Sequence, residues 1–495
     1  MKYDVVIIGA GLGGLECGYT LSKNGMNVCV LEQSPVLGGC LQTFKRKGIT
    51  FDTGFHYIGG LAEGQLLNHL FSYFDLMDLP WKKMDEDCFD EVILQGKSYA
   101  FANGYEHFVE TLAKEFPNQK ENLKKYIDVL SDIGRNIFKS FSPREAEEFY
   151  ASPAFTTSAY DFLQSTIGDP TLRNVLAGTS LKLELHKELP LYIYAQINDS
   201  FIQSAWRIEG GGMQIADHLA KSIQQMGGTV RTKAQVTEII EEDGQATRVL
   251  LSNGEEVEGC NFISNIHPAL TLQLLKESKL VRNIYRKRIS NMPNTFGMFT
   301  ANIELQKDKV PYLNRNQYIY ETDNLWNYAQ HSPEAKTDGV LVSYQTPKQG
   351  ETVTCNLDLL TPMTWQEVAQ WEESCVMHRG ESYIRMKEGK ANQCIELASK
   401  HIPELKSAIV NIHTSTPLTY RDYTGTMHGS AYGLQKDYTK LAYTMLTPKT
   451  PLPNLYLTGQ NLNLHGILGV TMTSFFTCGE LLGMKKINQE LGLNF

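Results

Sequence analysis

No stretch of the 495-residue sequence approaches ~18 uninterrupted apolar residues, so no helix is expected to span a membrane. The first residues do not read as a signal peptide, because Asp4 interrupts them and the apolar run that follows belongs to a strand. A cytoplasmic protein is expected, with peripheral attachment to a membrane left open. Cysteine is sparse: nine residues, an odd number, show no CxxC and no metal-like spacing. That excludes a disulfide framework and points to a reducing compartment. HExxH, a Ser/His/Asp set and a metal-ligand cluster are all missing, so hydrolytic and metal chemistry have no support. Basic charge is also short, with 46 Lys and Arg against 55 Asp and Glu. Without a basic stripe, nucleic acid is not an expected partner. Internal repeats and low-complexity segments are absent too.

What is present is an ordinary globular composition, 42% hydrophobic and 20% charged, on a chain long enough for two or three domains. Val5 to Ile8 read as a buried parallel strand. Gly9, Gly11 and Gly14 follow as GxGxxG, with Leu12 and Gly13 between them, at the turn into a helix. A second strand, Asn27 to Leu31, ends at Glu32 and Gln33. The glycines permit a tight turn, backbone approach to a pyrophosphate, and close helix–strand packing. The helix N-terminus offers N–H groups to phosphates, and Glu32 can accept from a ribose.

Paired glycines follow at once, in Leu37-Gly38-Gly39-Cys40-Leu41-Gln42-Thr43-Phe44, and then Phe51-Asp52-Thr53-Gly54-Phe55-His56-Tyr57-Ile58-Gly59-Gly60. Together these motifs resemble the phytoene desaturase and retinol saturase branch of the flavin-dependent amine oxidase superfamily. The resemblance implies FAD, held non-covalently, with Gly38, Gly39, Cys40, Gly54, His56 and Tyr57 near the flavin. Many superfamily members carry arginine where this chain has Cys40. A backbone contact survives that change and a side-chain contact does not.

Gly210-Gly211-Gly212, the helix Gln214 to Met226 and the strands around Val236 resemble the family's second cofactor segment, in which a valine contacts adenine through its backbone. Ser264-Asn265-Ile266-His267-Pro268 resembles the exit from the nucleotide domain. At the end of the chain, Thr458-Gly459-Gln460 and the helix beginning near Gly469-Val470-Thr471 resemble the closing cofactor motif. Most members have Asp or Glu where this chain has Gln460, and the saturase branch shares Thr-Gly-Gln. A positive helix end there would stabilise negative charge on a reduced flavin.

The expected fold is α/β: a discontinuous Rossmann-like FAD domain over 1–65, 206–275 and 446–495. An α+β substrate domain, with an antiparallel sheet and a helical lid, is inserted over 66–205 and 276–445. A hairpin is expected at Gln95-Gly96-Lys97, helices over 106–116 and 119–141, and a mainly helical stretch from Trp365 to His401. The substrate half is rich in aromatic and apolar residues that suit either a core or a lid over a long apolar ligand.

The resemblance implies an oxidoreductase acting on a carbon–carbon bond of an apolar polyene or isoprenoid, with saturation favoured over desaturation and isomerisation. Saturation needs a proton donor; Tyr57, Tyr432, His56 and His428 are the candidates. NAD(P)H or a quinone would be a transient electron partner, because no second nucleotide fingerprint builds a separate domain. A flavin-binding carrier of an apolar ligand, without turnover, is the reading from another class. An amine oxidase would lean on an aromatic cage such as Tyr420, Tyr423 and Tyr432.

Overall fold

The computed structural model describes residues 2–142, 145–326, 335–347, 350 and 352–493, and of Ser180 only the backbone. It is an α/β molecule with two seven-stranded sheets. The strand Tyr3–Ile8 lies inside the first sheet, paired in parallel with Val28–Leu31 on one side and Glu256–Ser264 on the other. Val5 to Ile8 are buried on both faces, which is why that segment carries no alternation. Thr229–Arg231 and Leu455–Leu457 extend the parallel layer outward. The first half of Glu256–Ser264 leaves the layer and pairs with Gln245–Leu251, which pairs in turn with Val236–Glu242. That antiparallel unit turns at Asp243-Gly244, with φ of 51° and 78°, the two positive values a tight type I′ hairpin requires.

The helix Leu12–Lys23 packs between Gly466–Leu482 and Met213–Gln225. Glycine is required at its start: a Cβ on Gly14 would lie 2.1 Å from the Gly9 carbonyl oxygen. No rotamer relieves a clash with backbone.

The second sheet runs in the order Ile409–Ser415, Gly297–Leu305, Asn356–Met363, Gly339–Tyr344, Asn316–Tyr320, Asp90–Leu94, Lys97–Phe101. All neighbours are antiparallel except Asn316–Tyr320 with Asp90–Leu94. Its two faces separate by the two-residue strand period. Phe299, Val340, Val342, Leu357 and Leu359 pack with the helix Glu381–Ser399. Met298, Leu341 and Leu360 face the other way and line the cavity described below. Above that face stand the helices Tyr105–Glu115, Lys120–Asn136 and Leu191–Gln203, joined in one apolar core with the half built on the parallel sheet.

The stretch from Trp365 to His401 is mainly helical, as expected, but in three pieces. A Thr364–Glu367 capping box closes one short turn, a second covers Ala369–Trp371, and the helix starts only at Glu381, after Gly380 with φ of 83°. The last apolar helix begins at Gly466, three residues before Gly469, so Gly469-Val470-Thr471 are not its first residues. Among the described residues no helix is long and apolar enough to cross a membrane.

Candidate active site

One cavity of about 590 Å³ runs from the edge of the parallel sheet to the inner face of the second sheet. At its first end lie Gly9, Gly11, Leu12, Gly13, Glu32 and Gln33, with Val236 opposite. Gly11 is the N-cap of the helix Leu12–Lys23, which has no side-chain cap and no acid in its first turn. Its N–H groups and positive end are therefore free for an anion. The Glu32 carboxylate accepts from Ala10 N at 2.9 Å and Ser34 N at 2.8 Å, which fixes the loop around it. Gly38 and Gly39 take φ of 97° and 56°, and Gly38 N donates to Ala10 O at 2.8 Å.

The centre of this cradle is Asn265. A Cβ on Gly13 would stand 2.8 Å from Asn265 Oδ1 and 3.3 Å from Gly459 Cα, and one on Gly11 would stand 3.0 Å from Asn265 Nδ2. Backbone thus approaches backbone as closely as glycine allows, leaving a groove bordered by N–H groups. Such a groove fits the adenosine and pyrophosphate of FAD. Gly54, Cys40, Gln460 and Val470 continue the wall inward.

The far end is apolar, with Ile197, Phe201, Met298, Leu341, Leu360 and Leu464 on its walls. Among its polar groups, Tyr57 is committed elsewhere. Its hydroxyl donates to Asp90 Oδ2 at 2.8 Å and lies 2.6 Å from the Tyr318 hydroxyl. Lys182 Nζ reaches the same Asp90 oxygen at 3.3 Å and lies 4.3 Å from the centre of the Phe201 ring. Burial pushes the Lys182 ammonium down while Asp90 holds it up. The Tyr432 hydroxyl donates to Leu181 O, and its ring lies against His465, 4.5 Å between centres.

His56 differs from these. Its side chain is buried, it lines the cavity, and neither ring nitrogen has a hydrogen-bond partner. Nδ1 lies 3.7 Å from Asp358 Oδ2, on the strand that carries Leu360. Burial lowers the His56 pKa to about 4, aided by the charge of Arg207. Burial likewise raises Asp358 to about 7, against hydrogen bonds from Asn302 and Gln345.

Four of the sequence-derived residues stand outside the cavity wall. Gly14 packs helix on strand. Gly469 and Thr471 are buried one turn into the helix, and the Thr471 hydroxyl donates to Glu16 Oε1 at 2.6 Å. His428, a proposed proton donor, has its ring 5.1 Å from that of Trp365 instead, because its backbone sits at φ of 53° in a turn. The structure also adds groups the motifs did not single out: Lys182, Phe201, Asp90 and Asp358. A lone acid in the apolar run Asn356–Met363 was the available signal for the last of these. Among the described residues no group of three or more His, Cys, Asp or Glu could hold a metal ion.

The family model described as flavin containing amine oxidoreductase matches residues 12–344. All-trans-retinol 13,14-reductase of Rattus norvegicus is 26% identical over 97% of this chain and 86% of its own length. The chloroplastic prolycopene isomerase of Daucus carota is 24% identical over 93% of this chain and 76% of its own length. Putrescine oxidase bound to putrescine has the same fold, with a TM-score of 0.63 over 97% of this chain and 99% of that one at 15% identity. The protein belongs to the flavin-containing amine oxidoreductase family and is a flavin-dependent oxidoreductase.

Proposed function

We propose that the protein saturates a carbon–carbon double bond of an apolar polyene or isoprenoid, using FAD bound non-covalently. The observation that carries this reading is the continuity of one cavity, from a glycine cradle fit for a dinucleotide to an apolar chamber. Full-length similarity to all-trans-retinol 13,14-reductases supports reduction as the direction. The reduced flavin supplies a hydride, and the protein must supply a proton and keep water out. Phe201, Met298, Leu341 and Leu360 exclude water and align an extended apolar chain. Since the Tyr57 and Tyr432 hydroxyls already donate to Asp90 and Leu181, His56 is the candidate donor with free nitrogens. Electrons would arrive from NAD(P)H or a quinone that visits transiently.

Isomerisation is the second reading, supported by similarity to prolycopene isomerases. One anaerobic experiment separates them. Dithionite-reduced protein is mixed with all-trans-retinol or a longer polyene, and flavin and polyene absorbance are followed together. Saturation predicts reoxidation of flavin matched one-to-one by loss of polyene absorbance. A polyene spectrum that shifts while flavin stays reduced would indicate isomerisation. Bleaching of the oxidised protein by substrate would indicate desaturation, and bound polyene with no electron exchange would indicate a carrier.

A further inference from the structure

The carboxylate behind His56 is placed by strand geometry. On Asn356–Met363 the two-residue period puts Asp358 on the same face as Leu360, which lines the cavity, while Leu357 and Leu359 turn to the opposite core. A fully buried acid on the face of a sheet that borders an apolar chamber is costly unless its oxygens are hydrogen-bonded. Asn302 Nδ2 at 2.6 Å occupies one oxygen of Asp358. Gln345 Nε2 at 3.1 Å occupies the other, the oxygen that faces His56 Nδ1 at 3.7 Å.

We propose that His56 and Asp358 form the proton-delivery pair of this enzyme. His56 is the catalytic residue and Asp358 the group that recharges it. The inference rests on the saturation reading and assigns the proton within it. The hydride and its electron pair pass from the reduced flavin to one carbon of the double bond. The Nε2–H bond of His56 breaks, and its proton bonds to the other carbon. Nδ1 takes the proton of the Asp358 carboxyl. The substrate would gain one hydride and one proton and a bound reduced flavin would lose two electrons. Asp358 is left as a carboxylate beside the Nδ1–H tautomer, and the pair resets when solvent protonates Nε2 and the Nδ1 proton returns to Asp358.

The charged surroundings favour this arrangement. Burial first, and then the charge of Arg207, itself fully buried and bonded to Asn316 and the Arg315 carbonyl, disfavours a second proton on the His56 ring. Asp52, itself buried and accepting from Gly212 N at 2.8 Å, stands near Asp358, and two adjacent carboxylates resist ionising together. The phenol of Tyr420 also senses Asp358. The pair is thus held with its proton on the carboxyl and an uncharged imidazole between acid and cavity, an arrangement suited to transfer in an apolar medium.

Two measurements test it. The first needs no cofactor: long-range proton–nitrogen correlations of the histidine side chains, recorded from pH 5 to 9 on the flavin-free chain. While Asp358 is protonated, His56 carries its proton on Nε2; as Asp358 ionises, the tautomer switches to Nδ1–H. Asp358→Asn abolishes the switch. A His56 tautomer that does not change with pH in the unaltered protein overturns the proposal.

The second is single-turnover reoxidation of the reduced enzyme by all-trans-retinol. His56→Gln and Asp358→Asn are each expected to slow it by about 100-fold or more, with flavin content unchanged. The double variant should be no slower than the worse single one, because the two act as a unit. Asp358→Asn at the unaltered rate and pH profile overturns the pair and leaves saturation standing. Unaltered protein that reduces no polyene removes the saturation reading itself, and the pair with it.

Discussion

At the scale of single residues, the cavity holds two groups whose partners fix what they do. Glu32 spends both carboxylate oxygens on backbone N–H groups, Ala10 and Ser34, and so shapes the loop proposed to meet the adenosine. Glu32→Ala removes both acceptors, each worth about 1–3 kcal/mol when its donor is left unpaired. FAD affinity should fall by roughly 10- to 100-fold, read by flavin fluorescence quenching as cofactor is titrated into the stripped protein. Lys182 is the complement of Asp90, the two side chains being 7% and 0% exposed. Lys182→Met strands a buried carboxylate, which still accepts from Tyr57 and Asn316 Nδ2. A loss of about 3–5 kcal/mol is expected, measured by urea unfolding. An unchanged midpoint would mean that Tyr57 and Asn316 already satisfy Asp90.

Between elements, the interface of Leu12–Lys23 with Gly466–Leu482 contains a carboxyl with no countercharge. Glu16 is fully buried, accepts from Thr471, and leaves Oε2 without a partner; burial raises its pKa to about 8. The sign follows directly. From the ordinary value of 4.5 up to about 8 the unfolded chain has lost this proton and the folded one keeps it. Stability is therefore complete below that window and is lost as pH rises through it, by at most about 1.4 kcal/mol per pH unit from this group. Asp52, Asp358 and Glu184, each raised to about 7 by burial, act in the same direction. Glu16→Gln should flatten the fall, so that its melting temperature gains on the parent between pH 6 and 8, by thermal scanning at fixed ionic strength.

Elements also mark where the sequence was readable. The strand, glycine turn and helix over 3–23 are contiguous, and their chemistry is local: Gly14 is glycine because of Gly9, five residues earlier. The hairpin at Gln95-Gly96 was visible for the same reason, through φ values that its residues tolerate. The stretch 365–401 is mainly helical as expected, but its interruption ahead of Gly380 is one that apolar periodicity does not register. The apolar end of the cavity was not legible. Asp358 and Tyr318 come from distant segments and share a face only through the register of the second sheet, while Phe201 reaches the same chamber from the helix Leu191–Gln203. Tyr57 and Tyr432 were expected as donors from position alone. Their hydrogen-bond acceptors, Asp90 and Leu181, lie far away in the chain and carry no motif.

For the molecule as a whole, the cavity wall draws on chain segments from Ile8 to Val470, so cofactor binding should tie together parts that meet nowhere in sequence. Ligand that binds only the folded chain adds stability by mass action, about 2.7 kcal/mol at a free concentration one hundred times Kd. Two probes report on different parts of this arrangement. The five tryptophans, Trp81, Trp206, Trp326, Trp365 and Trp371, all lie outside the parallel sheet, whereas flavin release reports on the glycine cradle beside it. In the FAD-loaded protein the two signals should melt at one temperature, which rises with added FAD. The core shared by Leu12–Lys23, Leu191–Gln203 and the cavity face of the second sheet joins the two parts, although each sheet also keeps an apolar core of its own on its other face. With cofactor stripped by mild denaturant and salt, the tryptophan transition should move to lower temperature and broaden. The cavity then loses the contacts that joined its walls. If tryptophan melting stayed at the same temperature with and without FAD, the cofactor would be stabilising the parallel sheet alone. The second sheet would then have to be treated as a unit that docks against it.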